Sequence, residues 1–382
     1  MNNRNTSLVG SIFLCLVCSS LSAGAIEDRP PLADGHAGTT NDGWAIGGAD
    51  IKGLCGMHWA SDSACGDPAL EGTVTPTVDA AGDNWTFSFG RHRFVVSALR
   101  AGNIAEFSLD GKSIVETSPD FGMSTFFPSP QAAYDWPLAA ELDGNPYIAT
   151  LDGKKLTLVG ATGTINVSKG YKLSFKKRFW VNAASGVVTI EYTIVNQGDA
   201  SSDWAPQEVT RVPAGGFTFA PKGPGTRTFT EDPWQNPMPL TTVAGINWFD
   251  YAAVQSSLTD YNYLVEFDGA EGWVAHAQRI GGAPGLPLLL VKSFKDAADA
   301  AMPPNEGEIQ LWTNGSASTD LKRIEVEEQG EAKTLEPKGE LVWTTHWSLC
   351  ELPSSVALST SSTRLVQLAL AHAVPIRSSH RR

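Results

Sequence analysis

From Asn84 onward the chain is a succession of short β-rich runs, among them "WTFSFG", "RFVVSAL", "IAEFSL", "KLTLVG", "YKLSFKKRFWV", "GVVTIEYTIVN", "LPLLLVKSF", "GEIQLWTN", "RIEVEEQ" and "LVWTTHWSL", separated by Gly, Asn, Asp and Pro. Branched and aromatic residues suit a pleated, half-buried surface, and the separating residues supply turns. No stretch repeats its apolar residues at the spacing of a long amphipathic helix. Strands this numerous with connections this short pair with their neighbours. They predict an all-β fold, one large antiparallel β-sandwich over residues 84–353 rather than two small domains.

The flanks read differently. Arg4, the apolar run from Leu8 to Leu21 and Ala23-Gly24-Ala25 form the three parts of a secretory signal peptide over residues 1–25. Its apolar part is too short for a comfortable membrane span. The expected location is therefore secreted or periplasmic, with no stable membrane insertion. Val17 is a poor residue before a lipidated cysteine, which argues against an anchor on Cys18. Residues 26–83 are rich in Gly, Asp, Pro and Thr and predict a loop-rich lead-in. Within it Cys55 and Cys65 bracket a short segment that a disulfide can close in an oxidising compartment, and Cys350 reads as a buried spare thiol. Residues 354–382 are Ser-rich and then basic, either a poorly ordered tail or a short helix on the sandwich.

A formal net charge of −13 with 18% charged residues excludes nucleic acid and anionic lipid as main partners. The mature chain holds no phosphate-binding P-loop, no H-E-x-x-H, no G-x-S-x-G and no strand-linked G-x-G-x-x-G. Scattered histidines and few cysteines give no metal-ligand spacing, so no metal or cofactor is expected, although carboxylates that bind sugars also suit calcium. The 12 Trp, 16 Phe and 7 Tyr serve core packing or stacking on flat, weakly polar rings such as sugars equally well.

Four stretches concentrate polar groups where strands end. "AGNIAEFSLDGKSIV" places Asn103 between two glycine turns, and "GMSTFFPSPQAAYDWPL" holds Trp136 on a proline-stiffened loop suited to a binding-site wall. "APQEVTRVPAGGF" brings Glu208 close to Arg211, either a simple ion pair or a carboxylate tuned by a guanidinium. In "RIEVEEQGEA" the alternation puts Ile324 and Val326 on one face and Glu325, Glu327 and Gln329 on the other.

These stretches resemble the galactose mutarotase-like superfamily, in particular a bacterial branch of unassigned function, across most of residues 84–353. "GNIAEFSLDGKSIV" is similar to its first hairpin, "TIEYTIVNQGDASSDWAPQEVTRV" to its central strands and "GEIQLWTNG" to its later Q-x-aromatic strand, and Glu327-Glu328-Gln329 matches the E-x-Q of the strand carrying the base. The resemblance implies a β-supersandwich whose concave face binds a carbohydrate, with Glu327 as the base that takes the anomeric proton and no metal or cofactor. The family's acid is a histidine on the central strand. Here that region reads Glu208-Val209-Thr210-Arg211, and His92 and His276 are the nearest substitutes in type.

The expected enzyme is thus an aldose 1-epimerase-like isomerase with Glu327 as base, Glu208 as the complementary acid or orienting carboxylate and Arg211 tuning charge or binding a substrate oxygen. Trp136 would stack on the ring, with Asn103, Gln329 and Lys292 as polar contacts and Asp260 a weaker one. The competing expectation is a non-catalytic carbohydrate-binding protein that keeps the cleft and lacks the acid.

Overall fold

The computed structural model describes residues 72–118, 122–135, 137–227, 235–252, 262–281, 284–314 and 323–374. The expected signal peptide, most of the expected lead-in with Cys55 and Cys65, Trp136 and Asp260 lie outside them.

The runs read from the sequence form two large sheets, antiparallel except where Gln235–Pro237 runs parallel to Asn262–Gly269. In the first sheet, Ile148–Asp152, Lys155–Val159, Tyr171–Asn182, Val187–Asn196, Glu340–Glu351, Leu286–Phe294 and Trp273–Ile280 follow one another, and the beginning of Phe217–Arg227 pairs next. In the second, Asn84–Phe89, His92–Ser97, Asn103–Leu109, Ser124–Ser129, Ser202–Pro213, Arg323–Gln329, Ile309–Thr313 and Asn262–Gly269 are neighbours in that order. Phe217–Arg227 also pairs with Asn262–Gly269, so one long strand passes from sheet to sheet.

Side chains alternate across each strand, and the inner sets meet between the sheets. Phe126 of the second sheet stacks on Tyr192 of the first at 4.2 Å, and Phe94 meets Phe107 edge-on at 5.4 Å. Phe87, Phe175, Phe179, Ile190 and Trp347 complete this fully buried layer. The "LDGK" turn is a two-residue hairpin in which Leu109 faces Lys112. Both of its central residues are left-handed, Asp110 at φ 50° and Gly111 at φ 72°, the conformation that matches strand twist and that aspartate and glycine tolerate best.

Both flanks take more structure than their composition suggests. Thr77–Val78, inside the expected lead-in, already pairs with Thr86 and Trp85. Of the two expectations for the tail, the structure has the helix, Thr363–His372, started by the Ser362 side chain accepting from the Leu365 amide. Leu365 and Ala369 are buried with Phe219, Trp248, Trp273, Leu289, Val291 and Cys350, the outer-face residues of the first sheet. No helix among the described residues is long and apolar enough to cross a membrane.

This docking predicts that Leu365→Ala costs about 2–4 kcal/mol of unfolding free energy. Leu370→Ala, at a position 40% exposed on the same helix, stays within about 0.5 kcal/mol. Urea unfolding of the two variants measures both.

Candidate functional site

The strand Ser202–Pro213 lies between Ser124–Ser129 and Arg323–Gln329, and the register sorts its polar residues. Residues directly opposite in an antiparallel pair share a face. Gln207 faces Gln329, Val209 faces Glu327 and Arg211 faces Glu325, while the alternate pairs Glu208–Glu328 and Thr210–Val326 lie on the other face. The expected grouping of Glu325, Glu327 and Gln329 is therefore present. Glu327 also stands opposite Gln310, and Glu325 opposite Trp312, so the neighbouring strand adds an amide and an indole to the same surface.

Glu327 is only 4% exposed. The Gln207 side-chain amide donates to its Oε2 at 2.7 Å and reaches Gln310 Oε1 at 3.1 Å. Burial pushes the Glu327 carboxyl up to about 8, with the nearby Glu325 charge adding to the rise and Arg211, Lys292 and the Gln207 hydrogen bond opposing it. Arg211 Nε donates to Glu325 Oε1 at 2.8 Å and Nη1 to Thr125 at 3.3 Å. A second guanidinium, Arg323, donates to the same Glu325 oxygen at 3.3 Å and lies 5.1 Å from the centre of the Trp312 ring. The Arg211 and Glu325 side chains keep 15% and 14% of their surface, so this end of the cluster is its more open part.

Further along the same surface, Glu306 accepts from the Ser129 hydroxyl and from the Gln131 amide at 2.8 Å, and burial raises its carboxyl too. Tyr134 neighbours both Glu306 and Glu327, and its hydroxyl is pushed well up by burial and those charges. Gln329, fully buried, adds a side-chain hydrogen bond to Glu306, while Oε1 of the buried Gln207 has no hydrogen-bond partner among the described residues. Buried polar groups are normally paired, so this oxygen marks a place equipped for an added donor.

Three expected site residues belong elsewhere. Glu208 points between the sheets, away from Glu327, and is completely buried with Glu328 around the Lys292 ammonium, which pairs with both carboxylates. Lys292 thus serves the interior and cannot touch a ligand on the outer surface. The reason is local: both faces of Ser202–Pro213 are covered, so alternation alone does not say which residue of Glu208-Val209 turns inward. Asn103 is buried and bridges two charged groups, accepting from Lys177 at 3.0 Å and donating to Asp143 at 3.3 Å. Its amide stiffens the corner and is already occupied on both ends.

The two candidate histidines do not supply the missing acid. His276 is buried between Thr218, at 2.9 Å, and Gln278, at 3.1 Å, and desolvation pushes it down to about 4. His92 stacks on Phe89 at 5.0 Å and bonds the Leu349 carbonyl at 2.8 Å. Gln207, Gln310, Trp312, Arg323, Glu306 and Tyr134 are the residues a sequence reading passes over. Gln207 stood beside Glu208, and Gln310 and Trp312 lay inside the Q-x-aromatic motif, but glutamines and tryptophans in strands carry no sign of which face they occupy. Among the described residues no group of three or more His, Cys, Asp or Glu is arranged to hold a metal ion.

If Gln207 holds Glu327 in place, Gln207→Met removes its only side-chain amide donor. The expected results are an upward shift of the Glu327 titration and a stability loss of about 1–3 kcal/mol from the unpaired polar groups left behind. Infrared titration of the carboxyl and urea unfolding check the two outcomes.

No family model and no curated protein matches the chain. Among solved structures it is similar to a protein from Escherichia coli K12 provisionally named aldose 1-epimerase, at 12% identity and a TM-score of 0.49 over 70% of this chain and 99% of that one. A galactose mutarotase-like protein from Lactobacillus casei aligns at 10% identity and 0.47 over 70% of this chain and 99% of that one. Another from Clostridium acetobutylicum aligns at 12% and 0.45 over 73% and 98%.

Proposed function

We propose that the outer face of the second sheet is a carbohydrate site, and that Glu327 there acts as the base of an aldose 1-epimerase-type reaction, in a protein that works outside the cytoplasm after loss of residues 1–25. The observation that carries this reading is the state of Glu327. It is a buried carboxyl with a raised proton affinity, oriented by one short amide hydrogen bond, beside the Glu325 cluster of Arg211, Arg323 and Trp312 and next to the unpaired Gln207 oxygen. A general base works best when its pKa lies near the operating pH. The E-x-Q resemblance assigns the same residue on independent grounds.

In such a reaction Glu327 takes the proton of the anomeric hydroxyl while an acid protonates the ring oxygen. The C1–O5 bond opens, the aldehyde end rotates, and reclosure on the other face returns both protons. Nothing is oxidised or reduced. Two positioned proton-transfer groups are sufficient. We assign the acid to the Glu306 and Tyr134 pair, since both hold their protons more tightly than usual and Tyr134 adjoins Glu327. Trp312 offers a flat face for the sugar ring, and Arg211 and Arg323 offer donors to its oxygens.

One observation favours a second reading, a carbohydrate-binding protein without catalysis. The described histidines that resemble the family's acid in type, His92 and His276, are engaged away from Glu327.

Proton NMR of freshly dissolved α-glucose, α-galactose and α-galacturonate separates the readings. The epimerase reading predicts accelerated anomer conversion that rises with pH through about 8, because the base must lose its proton. Glu327→Gln should lower that rate by about 100-fold or more. A variant as active as the parent overturns the assignment of the base. Unchanged rates with selective broadening of sugar signals support the binding reading instead.

A further inference from the structure

Directly behind Glu327, on the inner face of the same strand, the interior holds an arrangement that the proposed reaction does not use. Lys292, 1% exposed, projects from Leu286–Phe294 of the first sheet across the core to the second. Its ammonium pairs with Glu208 and Glu328, donates to Thr210 Oγ1 at 2.7 Å and lies 5.0 Å from the centre of the Trp347 ring. It also donates to the Val326 carbonyl at 3.1 Å. That carbonyl belongs to the peptide whose amide is Glu327's own, so the lysine grips the backbone of the residue assigned as base. Thr210 in turn donates to Glu208 at 2.9 Å, which closes the network onto the central strand.

Two carboxyls crowd around one ammonium in a dry interior, with the buried Lys177 acting on Glu208 as well. Like charges this close are expensive without water, and the arrangement is relieved if the two carboxyls share a proton. The Glu328 carboxyl is pushed well above its ordinary value by burial and by Glu208.

From this geometry we propose that Lys292 is a positioning residue for Glu327. Through the Val326 carbonyl and its own charge it fixes the strand that carries the base and favours the base's ionised form. The inference rests on Glu327 being the base, but its own content is a property of the resting protein. The other groups facing Glu327 are Glu325 on its own strand, Arg211 and Gln207 on the central strand, Gln310 on the neighbouring strand and Tyr134 on the covering loop. Tyr192 faces Glu208 and Glu328 from the first sheet, and Lys177 of Tyr171–Asn182 faces Glu208.

The test measures the titration of Glu327 without substrate, as the carboxyl infrared signal of the whole protein that disappears in Glu327→Gln. Lys292→Met alone leaves two buried carboxyls without their cation and risks unfolding. The informative variant therefore combines Lys292→Met, Glu208→Gln and Glu328→Gln, which replaces all three groups by neutral ones of similar volume. Thermal unfolding confirms that it folds, and Lys292→Arg, which keeps a cation, is the conservative control.

The expected result is that the triple variant titrates about one pH unit higher than the parent while Lys292→Arg stays near it. A folded triple variant whose Glu327 midpoint lies within about 0.3 units of the parent overturns the proposal, since a merely structural triad would change stability and leave the base alone. If the triple variant does not fold, Lys292→Met with Glu208→Gln, which leaves Glu328 as a protonated carboxyl, is measured in its place: a midpoint about one unit above the parent supports the proposal, and one within about 0.3 units overturns it. The outcome is independent of turnover. A parent protein that converts no sugar would sink the reaction reading and still report whether Lys292 acts on Glu327.

Discussion

The antiparallel register between Ser202–Pro213 and Arg323–Gln329 is the constraint on which the site depends. Side chains alternate with period two, so pairing Val209 with Glu327 commits Glu327, Glu325, Arg211, Gln207 and Gln329 to the outer surface. The same pairing sends Glu208, Glu328 and Thr210 into the core. A slip of one residue would exchange the two sets, burying a guanidinium among aromatics and exposing the lysine's partners. The apolar residues Ile324, Val326 and Val212, all fully buried, oppose that slip through the area they remove from water.

The two sets of carboxylates then acquire opposite characters from similar chemistry. Inside, Glu208 and Glu328 are held by one ammonium that reaches across from the other sheet, and they tie the layers together. A buried network of this kind adds little net stability over an apolar replacement, but removing one partner from it is costly. Outside, Glu327 has an amide partner and, among the described residues, no cation in direct contact, so burial dominates and its proton affinity rises. Arg211 and Arg323 each direct their Nε to Glu325, which leaves the neighbouring Glu327 poised to exchange a proton instead of being locked in an ion pair.

Much of this was legible in the residues. The short β-rich runs yielded the all-β class and most strands, because branched and aromatic residues bounded by turn formers have few other folded outcomes. The alternation in "RIEVEEQ" placed Glu327 and Gln329 correctly, since two β-branched apolar residues marked the inner face. The run "QEVT" had no such marker: both faces of its strand are covered, and the apolar Val209 lies on the outer side with Glu327, so Glu208 was read onto the wrong face. Lys292 was misread for a related reason. A lysine inside "LPLLLVKSF" cannot reach solvent, and its position within an apolar run was itself the signal of a buried acidic partner. The docked helix Thr363–His372 was legible only as one of two outcomes, because its two buried anchors, Leu365 and Ala369, stand in an otherwise serine-rich context.

The central claim is that a sugar occupies the outer face of the second sheet with its anomeric oxygen at Glu327. A crystal structure of the protein soaked with galactose tests it most directly. The account predicts a ring lying against Trp312, with the anomeric hydroxyl within about 3 Å of a Glu327 oxygen and ring oxygens facing Arg211. A sugar bound on another surface, or one whose anomeric carbon points away from Glu327, would contradict it.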